Sequence, residues 1–210
     1  MPNELGNAFR SKRLEFRAIE DNDEDKGWFH EQIKSDPIGF AMGDSNALRP
    51  QTRKRNDTLL EEIQKALLGV VICVLATDDT ATSQPIGVLA LNDEAGDNYR
   101  HHHRLAVLTI SIAPAYRNKG YGAESINWAV DWAFQRANIH TISLGCVEYN
   151  ERGIHLYEKL GFVLEGRFRK SHYHERKWWD VLLYSMLEDE WLALRGLDDK
   201  EIARNRQQGV

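Results

Sequence analysis

Leu105 to Gly122, LAVLTISIAPAYRNKGYG, running on into ESINWAVDWAFQRAN, is the stretch on which the reading of this chain turns. An apolar strand ends at Ala113-Pro114, a short polar turn follows, and Gly120 and Gly122 open an amphipathic helix. In the strand, Leu108, Ile110 and Ile112 share one face and Thr109 and Ser111 the other. In the helix, Ile126, Val130, Ala133 and Ala137 recur at i, i+4, i+7 and i+11 and form the side that packs on a sheet. Glycine lets backbone come close to a ligand, and the unpaired N–H groups of a first helical turn, with the helix dipole behind them, favour an anion. Gly-x-Gly before a helix is also ordinary turn chemistry, so the rest of the chain must decide.

A chain of 210 residues, 42% hydrophobic and 28% charged, is long enough for one well-buried domain and too apolar to be disordered. A net charge of -5 and a pI near 5.9 argue against a general polyanion binder and suit cationic substrates. The basic run RPQTRKR, Arg49 to Arg55, lacks interleaved aromatics and reads as a solvated loop. Cys73 and Cys146 lie in apolar, strand-like runs and read as buried thiols in a reducing compartment. The start MPNELGNAFRSKRLEF has no apolar core region, and no 18-residue apolar segment occurs, so a cytoplasmic protein is expected, with a nuclear address left open.

Upstream, Arg13 to Ala18 alternates as a strand. The acids Glu20, Asp21, Asp23, Glu24 and Asp25 lead into a helix from Lys26 to Lys34; they read first as favourable charge at a helix N-terminus and second as a patch for a cationic substrate. Asp36 to Arg55 carries Pro37, Gly39, Gly43 and Pro50 and is predicted as loop, a lid or an inert insertion. Asp57 or Thr58 would then cap a helix that Gly69 ends. Val70 to Ala76 and Ile86 to Leu91 read as paired strands. His101, His102 and His103 point in different directions and have no completing ligands, so an exposed loop without zinc is expected. Downstream come a strand, Thr141 to Val147, and a helix, Asn150 to Leu160, stopped by Gly161. Two closing strands, Phe162 to Phe168 and Trp178 to Met186, are predicted with KSHYHER joining them, and Leu187 to Val210 reads as a charged, partly helical or frayed tail.

The order Arg117-x-x-Gly120-x-Gly122-Ala123, Asn150, Tyr157, Gly161-Phe162, then EGRFRKSHYHERKWWDVLLYSML, resembles the GNAT superfamily of acyl-CoA-dependent N-acyltransferases. It is most similar to the branch of ribosomal-protein N-terminal acetyltransferases and spermidine acetyltransferases. Leu105 to Leu187 carries the resemblance well, the earlier strands loosely, and Lys26 to Gly69 poorly. It implies a single α+β domain with a mixed, mostly antiparallel sheet of six to seven strands, a splay between strands four and five, and helices on both faces. The expected division is a polar tail over 1–12, the domain over 13–190 with an acceptor-side insertion over 26–69, and a tail over 191–210.

The resemblance also implies roles. The backbone of Ile110, Ser111 and Ile112 would pair with the pantetheine arm of acetyl-CoA. The turn of Arg117, Asn118, Lys119, Gly120, Tyr121, Gly122 and Ala123 would hold the pyrophosphate by its N–H groups. Asn150 would contact the cofactor arm, and Tyr157 would stand beside the sulfur as the acid for the departing thiolate. An amine of pKa about 10 must lose a proton before it can attack a thioester, and the negative charge that builds on oxygen needs a donor such as the Ile110 N–H. Many relatives carry a strand glutamate about where this chain has Ala106. The base candidates are therefore Glu148, His172, His174 or, ranked first, an ordered water relay, with Cys146 as a weaker acyl-enzyme nucleophile. The implied partners are acetyl-CoA and a small-molecule amine or peptide N-terminus, walled by Tyr173, Trp178 and Trp179, without metal, nucleic acid or membrane, in a chain compatible with a homodimer. The second class of function kept open is a GNAT-like module that binds acyl-CoA or a partner without turnover.

Overall fold

A computed structural model describes residues 7–44, 46, 48–76, 83–92 and 101–197. Among these residues seven strands form one sheet: β1 Leu14–Arg17, β2 Leu68–Val74, β3 Gln84–Asn92, β4 Leu105–Ile112, β5 Thr141–Val147, β6 Val163–His174 and β7 Lys177–Leu187, in the order β1-β2-β3-β4-β5-β7-β6. All neighbours are antiparallel except β4 and β5. That parallel pair holds over only three positions, Leu105↔Thr141 to Val107↔Ser143. Beyond Val107 the strands part, while β4 stays paired with β3 as far as Gly87↔Ile112 and β5 with β7 as far as Val147↔Val181. A mixed α+β sheet with a splay between strands four and five is therefore the observed architecture.

Among the described residues six α-helices cover the sheet: α1 Asp23–Trp28, α2 Pro37–Gly43, α3 Arg53–Lys65, α4 Tyr121–Arg136, α5 Glu151–Lys159 and α6 Glu188–Arg195. On one face Ile126, Ala129, Val130 and Ala133 of α4 pack with Leu108, Ile142, Leu144 and Tyr184, and Trp191 and Leu192 of α6 join them. On the other, Phe29, Ile33 and Leu60 close over Val71, Cys73 and Val88. Strands β2 and β3 thus bury residues on both sides, and α3, α4 and α6 contribute apolar faces.

The upstream boundaries differ from the sequence expectation. The helix expected over Lys26 to Lys34 starts at Asp23, capped by Asn22, and widens into a π-helical segment at Phe29–Lys34. Of the acid cluster, Asp25 is buried and paired with Arg17 at 2.6 Å. The expected loop from Asp36 contains α2, because Asp36 caps it and Pro37 sits at its first position, where a missing N–H costs nothing. Helix α3 begins at Arg53 under a Thr52 cap rather than at Asp57 or Thr58, so the whole of Arg53, Lys54 and Arg55 is helical rather than loop, and Gly69 lies inside β2.

At the other end KSHYHER is not a joining loop. Strand β6 continues through it to His174, and Glu175 and Arg176, at φ 51° and 61°, make a two-residue hairpin of the kind whose twist suits its strands. His102 and His103 are exposed in a short 3₁₀ turn. The expected C-terminal tail beyond Leu197 lies outside the described residues. No described helix is long and apolar enough to cross a membrane.

Candidate active site

The splay opens on two sets of backbone donors. Ala113 N–H reaches Ile86 C=O at 2.8 Å, so by strand alternation Ser111 turns its backbone toward β3, while Ile110 and Ile112 turn theirs into the gap. Of the three residues expected to line the cofactor arm, Ile110 and Ile112 thus offer N–H groups to the gap and Ser111 does not. The Ile112 carbonyl is occupied by Arg117 Nε at 2.9 Å.

From Ile112 the chain runs through a 3₁₀ turn, Pro114–Tyr116, to the start of α4. Asn118 at φ 60° and Gly120 at φ 82° are left-handed, a conformation that reverses the chain and suits glycine at position 120. Gly120 caps α4 without any side-chain hydrogen bond, so the N–H groups of Tyr121, Gly122 and Ala123 keep no intrahelical partner. A Cβ on Gly122 would meet only Leu156 Cδ2, at 3.7 Å, which leaves its other side open. Arg13 brackets the turn from outside through Glu124 at 2.7 Å and the Lys119 carbonyl at 3.1 Å. Arg117, its N–H expected in the same cradle, directs that N–H to the Pro114 carbonyl at 3.3 Å and its guanidinium to the Asp36 carboxylate.

Across the gap, Asn150 caps α5 by accepting from Gly153 N–H at 3.0 Å and donates to the Met42 carbonyl at 3.4 Å. Tyr157, about two helical turns further on, packs against Phe162 and Tyr184 with ring centroids 6.1 and 6.3 Å away. Among the described residues its hydroxyl has no partner and no fully buried side-chain polar atom is left unsatisfied, so the oxygen is not completely sealed from solvent. Burial, with a smaller effect of nearby Cys146, pushes its pKa above the usual 10, and the phenol is protonated at neutral pH.

The base candidates are less free. Glu148 accepts from Asp180 N–H at 3.4 Å and faces Arg167 at 3.8 Å. His172 is 8% exposed beneath Tyr149, and burial, then the neighbouring His174, lowers its pKa. Burial raises the Cys146 thiol to about 11, which makes it a poor nucleophile. Ala106 is fully buried with the α4 side chains, so a carboxylate there would face the core rather than the gap.

Sequence reasoning passed over Tyr149, whose hydroxyl bonds the Ala41 carbonyl and lies 3.0 Å from His172 Nε2. Its ring stacks on His174 at 5.0 Å and meets Trp179 edge-on at 5.2 Å. The expected aromatic wall is split: Trp179 shares the face of its partner His172, while the opposed pair Tyr173 and Trp178 projects from the other face, each 56% exposed. Thr109 and Gly145, on the face away from α4, are exposed beside the gap.

Comparison with known proteins gives a consistent result. The model of the acetyltransferase (GNAT) family matches residues 4–162. A spermidine N(1)-acetyltransferase of Vibrio cholerae is 36% identical over 90 residues, 43% of this chain and 52% of that protein. The matched stretch thus spans about half the length of that curated relative. A GNAT-family acetyltransferase from Bacillus anthracis superposes with a TM-score of 0.70 at 22% identity, over 86% of this chain and 98% of the other. A spermidine N-acetyltransferase from Vibrio cholerae, solved in complex with CoA and spermine, gives 0.69 at 24% identity over 87% and 99%. At those identities the structural likeness establishes the fold.

Proposed function

The chain belongs to the GNAT family of acetyltransferases, and on that premise we propose that it transfers the acetyl group of acetyl-CoA to a primary amine by direct attack in a ternary complex. What supports this is the parting of β4 and β5, toward which the Ile110 and Ile112 N–H groups turn, together with the unpaired amides of Tyr121 to Ala123 at the α4 N-terminus and a Tyr157 hydroxyl without a partner among the described residues. The amides at the α4 N-terminus bind the pyrophosphate, where the helix dipole adds to their attraction. The strand edge pairs with the pantetheine arm, and Asn150 closes on it from α5. No metal takes part in this reading.

When the amine attacks, charge develops on the thioester oxygen and the Ile110 N–H stabilises it. Collapse of the intermediate expels a thiolate, and Tyr157 supplies its proton. A phenol near 10 is a weaker acid than a thiol near 8.5 by about 1.5 units, roughly 2 kcal/mol, before burial widens the difference. Donation from Tyr157 therefore rests on position, not on acidity. The acceptor's own proton leaves through water on the open face near Thr109 and Gly145, since Glu148 is engaged by Asp180 and Arg167 and His172 Nε2 by Tyr149.

A small cationic amine such as a polyamine suits the net charge of -5 and the spermidine-acetylating relative; a peptide N-terminus is the second acceptor class. The buried free thiols Cys73 and Cys146 suit a reducing, cytoplasmic setting. The test is free-thiol release from acetyl-CoA with spermidine, other primary amines and N-terminal peptides. Turnover with one class identifies the acceptor, whereas cofactor binding without release in any case leaves a non-catalytic acyl-CoA module.

A further inference from the structure

Helix α2 is tied at each end to one of the two strands that part. At its start the Asp36 carboxylate accepts from the N–H groups of Ile38 at 3.1 Å and Gly39 at 2.8 Å. The same carboxylate pairs with Arg117, whose Nε holds the last carbonyl of β4. At its end the Ala41 carbonyl accepts from Tyr149 and the Met42 carbonyl from Asn150, both just past β5. Helix α2 therefore crosses the open end of the splay.

The Arg117–Asp36 contact is built in. Their side chains are only 23% and 9% exposed, and a Cβ on Gly39 would stand 2.6 Å from Arg117 Nη2 and clash with Asp36 as well. Only glycine leaves the guanidinium its place. A seven-residue helix with Phe40 as its sole buried side chain is too short to hold its own shape, so its tethers set it.

We infer that Asp36, Gly39 and Arg117 are positioning residues that couple the turn at residues 117–123 to α2, so that cofactor on the turn sets α2 across the acceptor side of the splay. The coupling rests on the reading of that turn as the acetyl-CoA site. Phosphate on the amides of Tyr121 to Ala123 steadies the segment that carries Arg117. Arg117 is held by both Ile112 and Asp36, and passes that constraint to the start of α2. By linkage, an amine bound beneath α2 strengthens cofactor binding by the same factor.

Hydrogen exchange of the full chain, with and without coenzyme A, tests the joint together with calorimetry. In the wild type, coenzyme A should slow exchange of the 38–43 amides by about fivefold or more, while in Asp36→Asn and Gly39→Ala that slowing should fall below about twofold. Asparagine still caps α2, so Asp36→Asn removes the ion pair without unfolding the helix. Coenzyme A affinity of both variants should stay within about threefold of wild type, and the double variant should lose no more coupling than either single one. Unchanged α2 protection in the variants, no α2 protection in the wild type, or cofactor binding tightened about tenfold in Asp36→Asn because Arg117 turns to the phosphates, would each overturn the joint alone. Absence of any heat with coenzyme A in the wild type would overturn the reading of the turn, and the joint with it.

Discussion

Tyr149 and His172 are joined through a hydroxyl whose proton is already committed. The Tyr149 oxygen lies 3.0 Å from His172 Nε2 and also on the Ala41 carbonyl. A carbonyl only accepts, so the hydroxyl donates to Ala41 and His172 must donate from Nε2. The pair links α2, the segment after β5, and the β6–β7 hairpin.

This link makes stability depend on pH in a defined direction. Burial and His174 hold the folded pKa of His172 below its ordinary 6.5. Below pH 6.5 the unfolded chain takes up this proton before the folded one does. The contribution of His172 is therefore present above that pH and lost as pH falls through the depressed folded value. The Tm difference between wild type and His172→Gln should narrow between pH 7.5 and pH 5, and a constant difference would show that the ring does not titrate between the two states.

Tyr157→Phe keeps the ring packed on Phe162 and Tyr184 and removes only the free hydroxyl. Turnover should fall by roughly 10² to 10⁴, the range of a general acid, with coenzyme A affinity unchanged by calorimetry. Undiminished turnover would remove Tyr157 from the acid role.

Cys146 tests direct transfer against an acyl-enzyme. With its thiol raised to about 11, only about one molecule in several thousand is a thiolate at pH 7.5. Cys146→Ala should retain catalysis, with some loss of Tm from the buried space, and initial-rate plots against both substrates should intersect. Parallel lines, with inactivity of the variant, would restore the covalent route.

What was legible in the sequence follows what is locally encoded. Strand β5 falls on the predicted Thr141 to Val147 because a β-branched run is bounded on both sides, and α4 begins where the glycines placed it. Helix α2 was hidden because Pro37, Gly39 and Gly43 read as breakers, although Asp36-Pro37 is also a cap and first-turn pair. The hairpin after β6 was hidden because Glu175 and Arg176 take left-handed φ without a glycine to announce it. The direction of the Arg117 side chain has no local signal at all, since its partner Asp36 is 81 residues away. The proposed cofactor cradle is mostly backbone and so is readable from turn chemistry; the proposed acceptor side is made by tertiary contacts and is not.

The two glycines of the turn can be separated by what each would lose. Gly120 needs its φ of 82°, so Gly120→Ala should cost about 1–2 kcal/mol of stability and lower Tm. Gly122 has ordinary helical backbone and 3.7 Å of room toward Leu156, so a larger residue there is tolerated by the fold. What it fills is the approach to the amides of Tyr121 to Ala123. Gly122→Val should therefore leave Tm within a few degrees of wild type, valine being no worse a helix former than the glycine it replaces, and weaken coenzyme A binding by at least about tenfold, or 1.4 kcal/mol. Calorimetry and thermal melts on the same two variants decide it: full coenzyme A affinity in Gly122→Val would place the phosphate cradle elsewhere.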